Sequence, residues 1–166
     1  MNISRYSYKA LETDLKVKID HDLKLYPIMG MISEIGEVFP KLISFFHYHD
    51  SKSLSDVQKE IGDVFWYYVA TMDRLDQSIQ EMIFGPFLKG SEDWNDVRDH
   101  LKNKHTILQP LSELGMVYDI YYVNQEIGSM LGILKKVYRG DKDSATDFQI
   151  AELITDIFVR FLMVGS

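Results

Sequence analysis

Apolar residues in this chain recur at steps of three and four, the period of a helix with one buried face, and nowhere alternate as a half-buried strand would. Leu11, Leu15, Ile19 and Leu23 fall at steps of four and predict a first helix over 4–25. Pro27 suits a first helical turn, so a second helix is expected from there to Tyr48, with a kink at Pro40, whose missing amide leaves the Gly36 carbonyl unbonded. The polar stretch 49–55 reads as a loop. A capping box of Ser53 with Asp56, or of Ser55 with Gln58, opens a third helix that ends near Leu75. Asp76 or Ser78 then caps a short continuation that stops at Gly85 and Pro86. A short charged helix over 91–103 is anchored by Trp94, 102–109 is a connector, and Pro110 opens a long helix. Its inner stripe is expected to hold Leu114, Val117, Tyr121, Ile127, Met130 and Leu134. Lys135, Lys136 and Arg139 precede Gly140, and a last helix covers 147–164. With no strand pattern and no glycine-rich phosphate loop, the chain is an all-α helical bundle in one domain.

Two acidic pairs interrupt the apolar edges of the second and third helices: Glu34 with Glu37, and Glu60 with Asp63. Residues three apart share a helix face, so each pair presents two carboxylates side by side, and a hairpin of the two helices brings four together. Most charged pairs on helices merely face water. Here Ile35 and Ile61 lie inside the pairs and Val38 and Val64 follow them, placing the acids at the rim of a core, where an unpaired carboxylate is costly. A crowded acid cluster calls for a cation. Mg²⁺ fits best, or Mn²⁺, because no cysteine and no paired histidine offers softer ligands. Tyr67 follows Asp63 by one helical turn on the same face, where it could touch a bound nucleotide. His47 and His49 are read as favourable charges at a helix C-terminus.

The segments SEIGEV (33–38) and KEIGDVFWYYV (59–69) resemble the MazG-like nucleoside triphosphate pyrophosphohydrolases of the all-α NTP pyrophosphatase superfamily. The resemblance implies that Glu34, Glu37, Glu60 and Asp63 are Mg²⁺ ligands. It further implies hydrolysis of a ribo- or deoxyribonucleoside triphosphate to monophosphate and pyrophosphate, and assembly as a homodimer or higher homo-oligomer. Glu37 is the candidate general base. Pro40 and the segment FFHYH (45–49) depart from the family pattern, which carries lysine there; Lys41 remains on the acidic face as a candidate phosphate contact.

The second half echoes the first. Glu126-Ile127-Gly128 matches Glu34-Ile35-Gly36 at an offset of 92 (126 − 34), and Glu152 matches Glu60 at the same offset (152 − 60). Ser129 stands where Glu37 would be, and Asp156 is one residue out of step with Asp63, so a second repeat over 104–166 would be a degenerate copy of 1–90. The chain would then be a tandem pseudo-dimer. The basic, turn-forming segment KKVYRGD (135–141) looks like the end of the family's first acidic helix, which makes Lys135, Lys136 and Arg139 candidates for binding a triphosphate tail; a capping role for them is the rival.

Composition narrows the classes. A net charge of −7 opposes both a backbone-driven nucleic-acid binder and a polybasic membrane anchor. Asp119 and Asn124 break the most apolar run, so no membrane span is expected, and the first residues lack a signal-peptide core. Cytoplasmic residence is the default expectation, and the absence of cysteine excludes thiol chemistry. Two other readings stand beside the hydrolase. One is a non-catalytic helical module that binds nucleotide or protein and keeps only the fold. The other, a di-iron carboxylate bundle, needs Glu-x-x-His pairs, and the chain has none.

Overall fold

The computed structural model describes residues 3–14, 24–49, 51–84, 113–141 and 145–164. Six helices account for nearly all of them: α1 (Ile3–Thr13), α2 (Leu25–Tyr48), α3 (Ser51–Arg74), α4 (Ile79–Phe84), α5 (Glu113–Arg139) and α6 (Asp147–Met163), with no strand among the described residues. Leu15, Ile19, Leu23, Gly85, Pro86, Trp94, the 102–109 connector and Pro110 lie outside these residues.

α2 continues through Pro40, which lies on its exposed side next to an exposed Gly36, so the carbonyl that loses its partner can bond to water. His49, left-handed at φ 53°, ends α2, and α3 opens at Ser51, earlier than expected; positions 53 and 55 are inside its first turns instead of at its cap. The shorter connection makes α2 and α3 a tight antiparallel hairpin and the most extensive helix pairing in the protein. Asp76, also left-handed, closes α3, and Ser78 Oγ accepts the Glu81 amide to start α4. α5 closes on Gly140 at φ 70°, where the Gly140 and Asp141 amides donate to Val137 and Lys136 carbonyls in a Schellman pattern. Thr146 and Gln149 form a reciprocal capping box at the start of α6.

The core runs along both hairpins. Ile35, Val38 and Leu42 of α2 are buried, and so are Ile127, Met130 and Leu134 of α5, each 92 residues later (127 − 35, 130 − 38, 134 − 42). Val57, Val64, Phe65 and Tyr68 of α3 correspond at an offset of 93 to Ile150, Ile157, Phe158 and Phe161 of α6, again all buried (150 − 57, 157 − 64, 158 − 65, 161 − 68). Phe65 and Phe158 stack on each other with ring centroids 5.5 Å apart, Tyr68 lies on Phe158 at 4.1 Å, and Tyr6 of α1 covers Phe65 at 4.5 Å. The fully buried Tyr68 hydroxyl is satisfied by Thr155 at 3.0 Å.

The inner stripe of α5 differs from the sequence expectation. Val117 and Tyr121 are exposed, and the core is met by Val123, Ile127, Met130 and Leu134. Steps of four, three and four keep those residues on one line, whereas Tyr121 to Ile127 is a step of six and crosses to the other side. No helix among the described residues is long and apolar enough to cross a membrane.

Candidate metal centre

The antiparallel register of α2 against α3 lines their shared seam with polar groups. From α2 come Tyr26, Glu34, Glu37 and Lys41, with Gly30 between Tyr26 and Glu34; from α3 come Glu60, Asp63, Tyr67 and Arg74. At one end, carboxylate oxygens of Glu34, Glu37 and Glu60 all lie within 4.8 Å of one another. Among the described residues no other three acidic or histidine side chains are grouped this way. The convergence comes from two helix rotations. Burial of Ile35 and Val38 turns Glu34 and Glu37 to the rim, and burial of Val57 and Val64 does the same for Glu60.

Glu60 is the most enclosed of the three, with a side chain 10% exposed, and it accepts a 2.6 Å hydrogen bond from Lys41 Nζ. The same ammonium lies 3.7 Å from Glu37 Oε2 on its own helix. Lys41 thus sits inside the acid cluster. The hydrogen bond from Lys41 holds the Glu60 carboxyl below its ordinary value of 4.5, whereas burial, the charge of Glu37 and a hydrogen bond with Glu60 raise Glu34 above it. The hydrogen bond between the two carboxyl groups acts on both, raising Glu34 and lowering Glu60.

Asp63 stands one turn further along α3, outside that tight group, and its charge acts on Glu34, Tyr6 and Tyr67. Tyr67 follows. Burial first, then a hydrogen bond with Tyr26 and the charge of Tyr26, Glu34 and Asp63, push its phenol up to about 12, so it is a neutral donor at physiological pH. Its ring meets Tyr26 edge-on at 6.1 Å and Trp66 at 4.9 Å. Gly30 is what lets that ring lie against α2, since a Cβ there would overlap three carbons of Tyr67. Beyond Tyr26, the Arg74 guanidinium approaches the Tyr26 ring at 6.0 Å and is held by Asp14. Tyr26, Gly30 and Arg74 were not singled out from sequence. The signal was there for two of them, because Tyr26, Gly30 and Glu34 are spaced four apart on one helix face.

Lys135, Lys136 and Arg139 are exposed in the last turns of α5, where Arg139 donates to Asp141 at 2.6 Å. The charges that act on Glu34 and Glu60 come instead from α2 and α3: Glu37, Lys41, Lys59 and Asp63. In the second hairpin, Glu152 and Asp156 are exposed on α6, and no acidic group like that of the first hairpin forms among the described residues.

The donor set suits a hard divalent cation. It consists of carboxylate oxygens alone, two of them on partly open side chains, and among the described residues no softer donor is grouped with them. Comparison with protein-family models, with curated proteins and with solved structures finds no match.

Two expected outcomes arise here. Because Glu34 binds its proton more tightly folded than unfolded, the folded protein loses stability as pH rises from 4.5 through the raised value; Glu60 contributes the reverse, a stabilisation present above 4.5 and lost as pH falls. Glu34→Gln should therefore raise the melting temperature of metal-free protein at neutral pH and flatten its decline above pH 4.5, read by circular dichroism across a pH series. The second concerns the Tyr67 seat. Gly30→Ala should destabilise by about 1–2 kcal/mol through overpacking and change the near-UV aromatic signal, whereas Gly128→Ala, in open space on α5, should stabilise by roughly 0.5–1 kcal/mol. Equal melting shifts in the two variants would remove the special role of Gly30.

Proposed function

We propose that this protein is a Mg²⁺-dependent nucleoside triphosphate pyrophosphohydrolase, acting on a ribo- or deoxyribonucleotide and releasing monophosphate and pyrophosphate. The observation that carries the reading is the convergence of Glu34, Glu37 and Glu60 within 4.8 Å at a rim shared with Tyr67. Its motifs resemble those of the MazG-like enzymes, and the all-α architecture fits that superfamily.

In this reading Glu34, Glu37 and Glu60 hold the cation, with Asp63 adding charge from the next turn. Bound Mg²⁺, or Mn²⁺ in its place, would supply neutralisation of phosphate oxygens, polarisation of the α-phosphorus and acidification of a water. Glu37 has the most open carboxylate, 56% exposed, which suits a group that would accept the proton of the attacking water. Glu60 is buried and fixed, which suits a positional ligand. Tyr67 offers a ring face for a base and a neutral hydroxyl as donor. Lys41 supplies positive charge beside the phosphates, and in a homo-oligomer the exposed Lys135, Lys136 and Arg139 are available to a triphosphate on a neighbouring subunit.

The matched burial of the two hairpins at offsets of 92 and 93 supports a tandem origin in which the second unit kept the packing and, at those offsets, kept Glu126 and Asp156 but has Ser129 and Leu153 where the first has Glu37 and Glu60 (129 − 37, 153 − 60). The test of function is product analysis with the eight common NTPs and dNTPs and Mg²⁺. Monophosphate and pyrophosphate should appear in equal amounts and vanish with a chelator. Release of orthophosphate and diphosphate, or no turnover of any of the eight, would overturn the proposal and favour a non-catalytic module.

A further inference from the structure

Lys41 already brings a cation to two of the three grouped glutamates. Its ammonium is 2.6 Å from Glu60 Oε1 and 3.7 Å from Glu37 Oε2, and both glutamates belong to the trio whose oxygens lie within 4.8 Å of one another. An ammonium and a divalent cation cannot both sit against those oxygens without like-charge repulsion. We infer that Lys41 is an internal stand-in for the metal: it holds the α2 and α3 acids together in the metal-free protein and is displaced when a divalent cation enters.

This rests on the cluster being a metal centre, and it adds an exchange step. The Lys41 side chain is 29% exposed, so its four-carbon stem has open space toward which to swing, while Glu60 at 10% exposure has little. Without any cation, a buried Glu60 beside Glu34 and Glu37 would push the hairpin apart; Lys41 removes that repulsion until loading. Once its partners are taken, the ammonium is a free cation at the edge of the site, suited to a phosphate oxygen. Loading and phosphate binding are then coupled through one side chain. The second hairpin agrees with the pairing of roles. At the offset of 92, Glu37 becomes Ser129 and Lys41 becomes Ile133, so the acid and the lysine are missing together (129 − 37, 133 − 41).

Two measurements on the full chain test this. The first is Mn²⁺ binding by electron paramagnetic resonance for wild type and for Lys41→Met, which keeps the stem and removes the charge. The variant should bind Mn²⁺ tighter by about tenfold or more, since no internal cation competes. The second is the modification rate of Lys41 in wild type, by acetic anhydride labelling and mass spectrometry, with and without saturating Mn²⁺. Lys41 should label several-fold faster with the metal, while Lys135 and Lys136 stay constant. This arm needs no variant to fold. Unchanged or weaker Mn²⁺ binding in Lys41→Met, or a Lys41 rate indifferent to Mn²⁺ that the wild type demonstrably binds, would overturn the exchange and leave the metal centre standing. Absence of Mn²⁺ binding by wild type and variant alike would overturn both the inference and the metal-centre reading beneath it.

Discussion

If the protein acts as proposed, Glu37→Gln is expected to reduce Mg²⁺-dependent pyrophosphate release by on the order of 10²–10⁴-fold while leaving the helical spectrum of the metal-free protein essentially unchanged. Two features make this residue the sharpest probe. Its carboxylate is 56% exposed, so no buried charge is orphaned by the change, and the amide preserves shape while removing both ligand charge and proton-accepting ability. Glu60→Gln is a poorer probe because it also removes the partner of Lys41. The assay couples pyrophosphate to a colour reaction under saturating Mg²⁺. A Glu37→Gln variant retaining more than half of the wild-type rate would remove Glu37 from the proposed chemistry and leave it as a surface acid.

The largest stability effect is expected at a distance from the acids. Arg74 Nη2 donates to both carboxylate oxygens of Asp14, at 3.0 and 2.9 Å, and the two side chains are only 8% and 2% exposed. The bond ties the end of α1 to the end of α3, beside the Trp66 indole, which donates to the Ala10 carbonyl and to Thr13 Oγ1. Arg74 Nη1 is buried without a hydrogen-bond partner among the described residues, so Asp14 is the main compensation for a buried guanidinium. Asp14→Ala should therefore cost about 3–5 kcal/mol, a drop in melting temperature on the order of 10 °C. Adding Arg74→Met should restore much of the loss, because an apolar pair leaves no charge to desolvate. A melting shift under about 2 °C for Asp14→Ala would show that the pair contributes little to holding α1 in place.

Sequence alone determined the helical periods, the end of α3 near Leu75, a start of α4 at either Asp76 or Ser78, the extent of α6 and the two acidic pairs. These are local properties: a period of three and four, a hydroxyl before an amide row and a spacing of three residues each fix what shares a helix face, whatever the rest of the chain does. Where local signals are diluted, periodicity alone does not fix the buried face. Val117 and Tyr121 look as apolar as Ile127 and Met130 in a one-dimensional pattern, yet α5 has only one side against α6 and the first hairpin, and they lie on the other.

The tertiary structure decided what the acids do together. Two helices with acids on one face each can pack at many rotations and shifts, and only the packed register sets Glu34, Glu37 and Glu60 within 4.8 Å while leaving Asp63 a turn away. That register is dictated by side chains remote from the chemistry, among them Ile35, Val38, Val57 and Val64, whose burial orients both faces. The same register carries Lys41 across the hairpin to Glu60 and seats Tyr67 over Gly30. Periodicity names the residues on a face; the cost of leaving apolar surface in water chooses which faces meet.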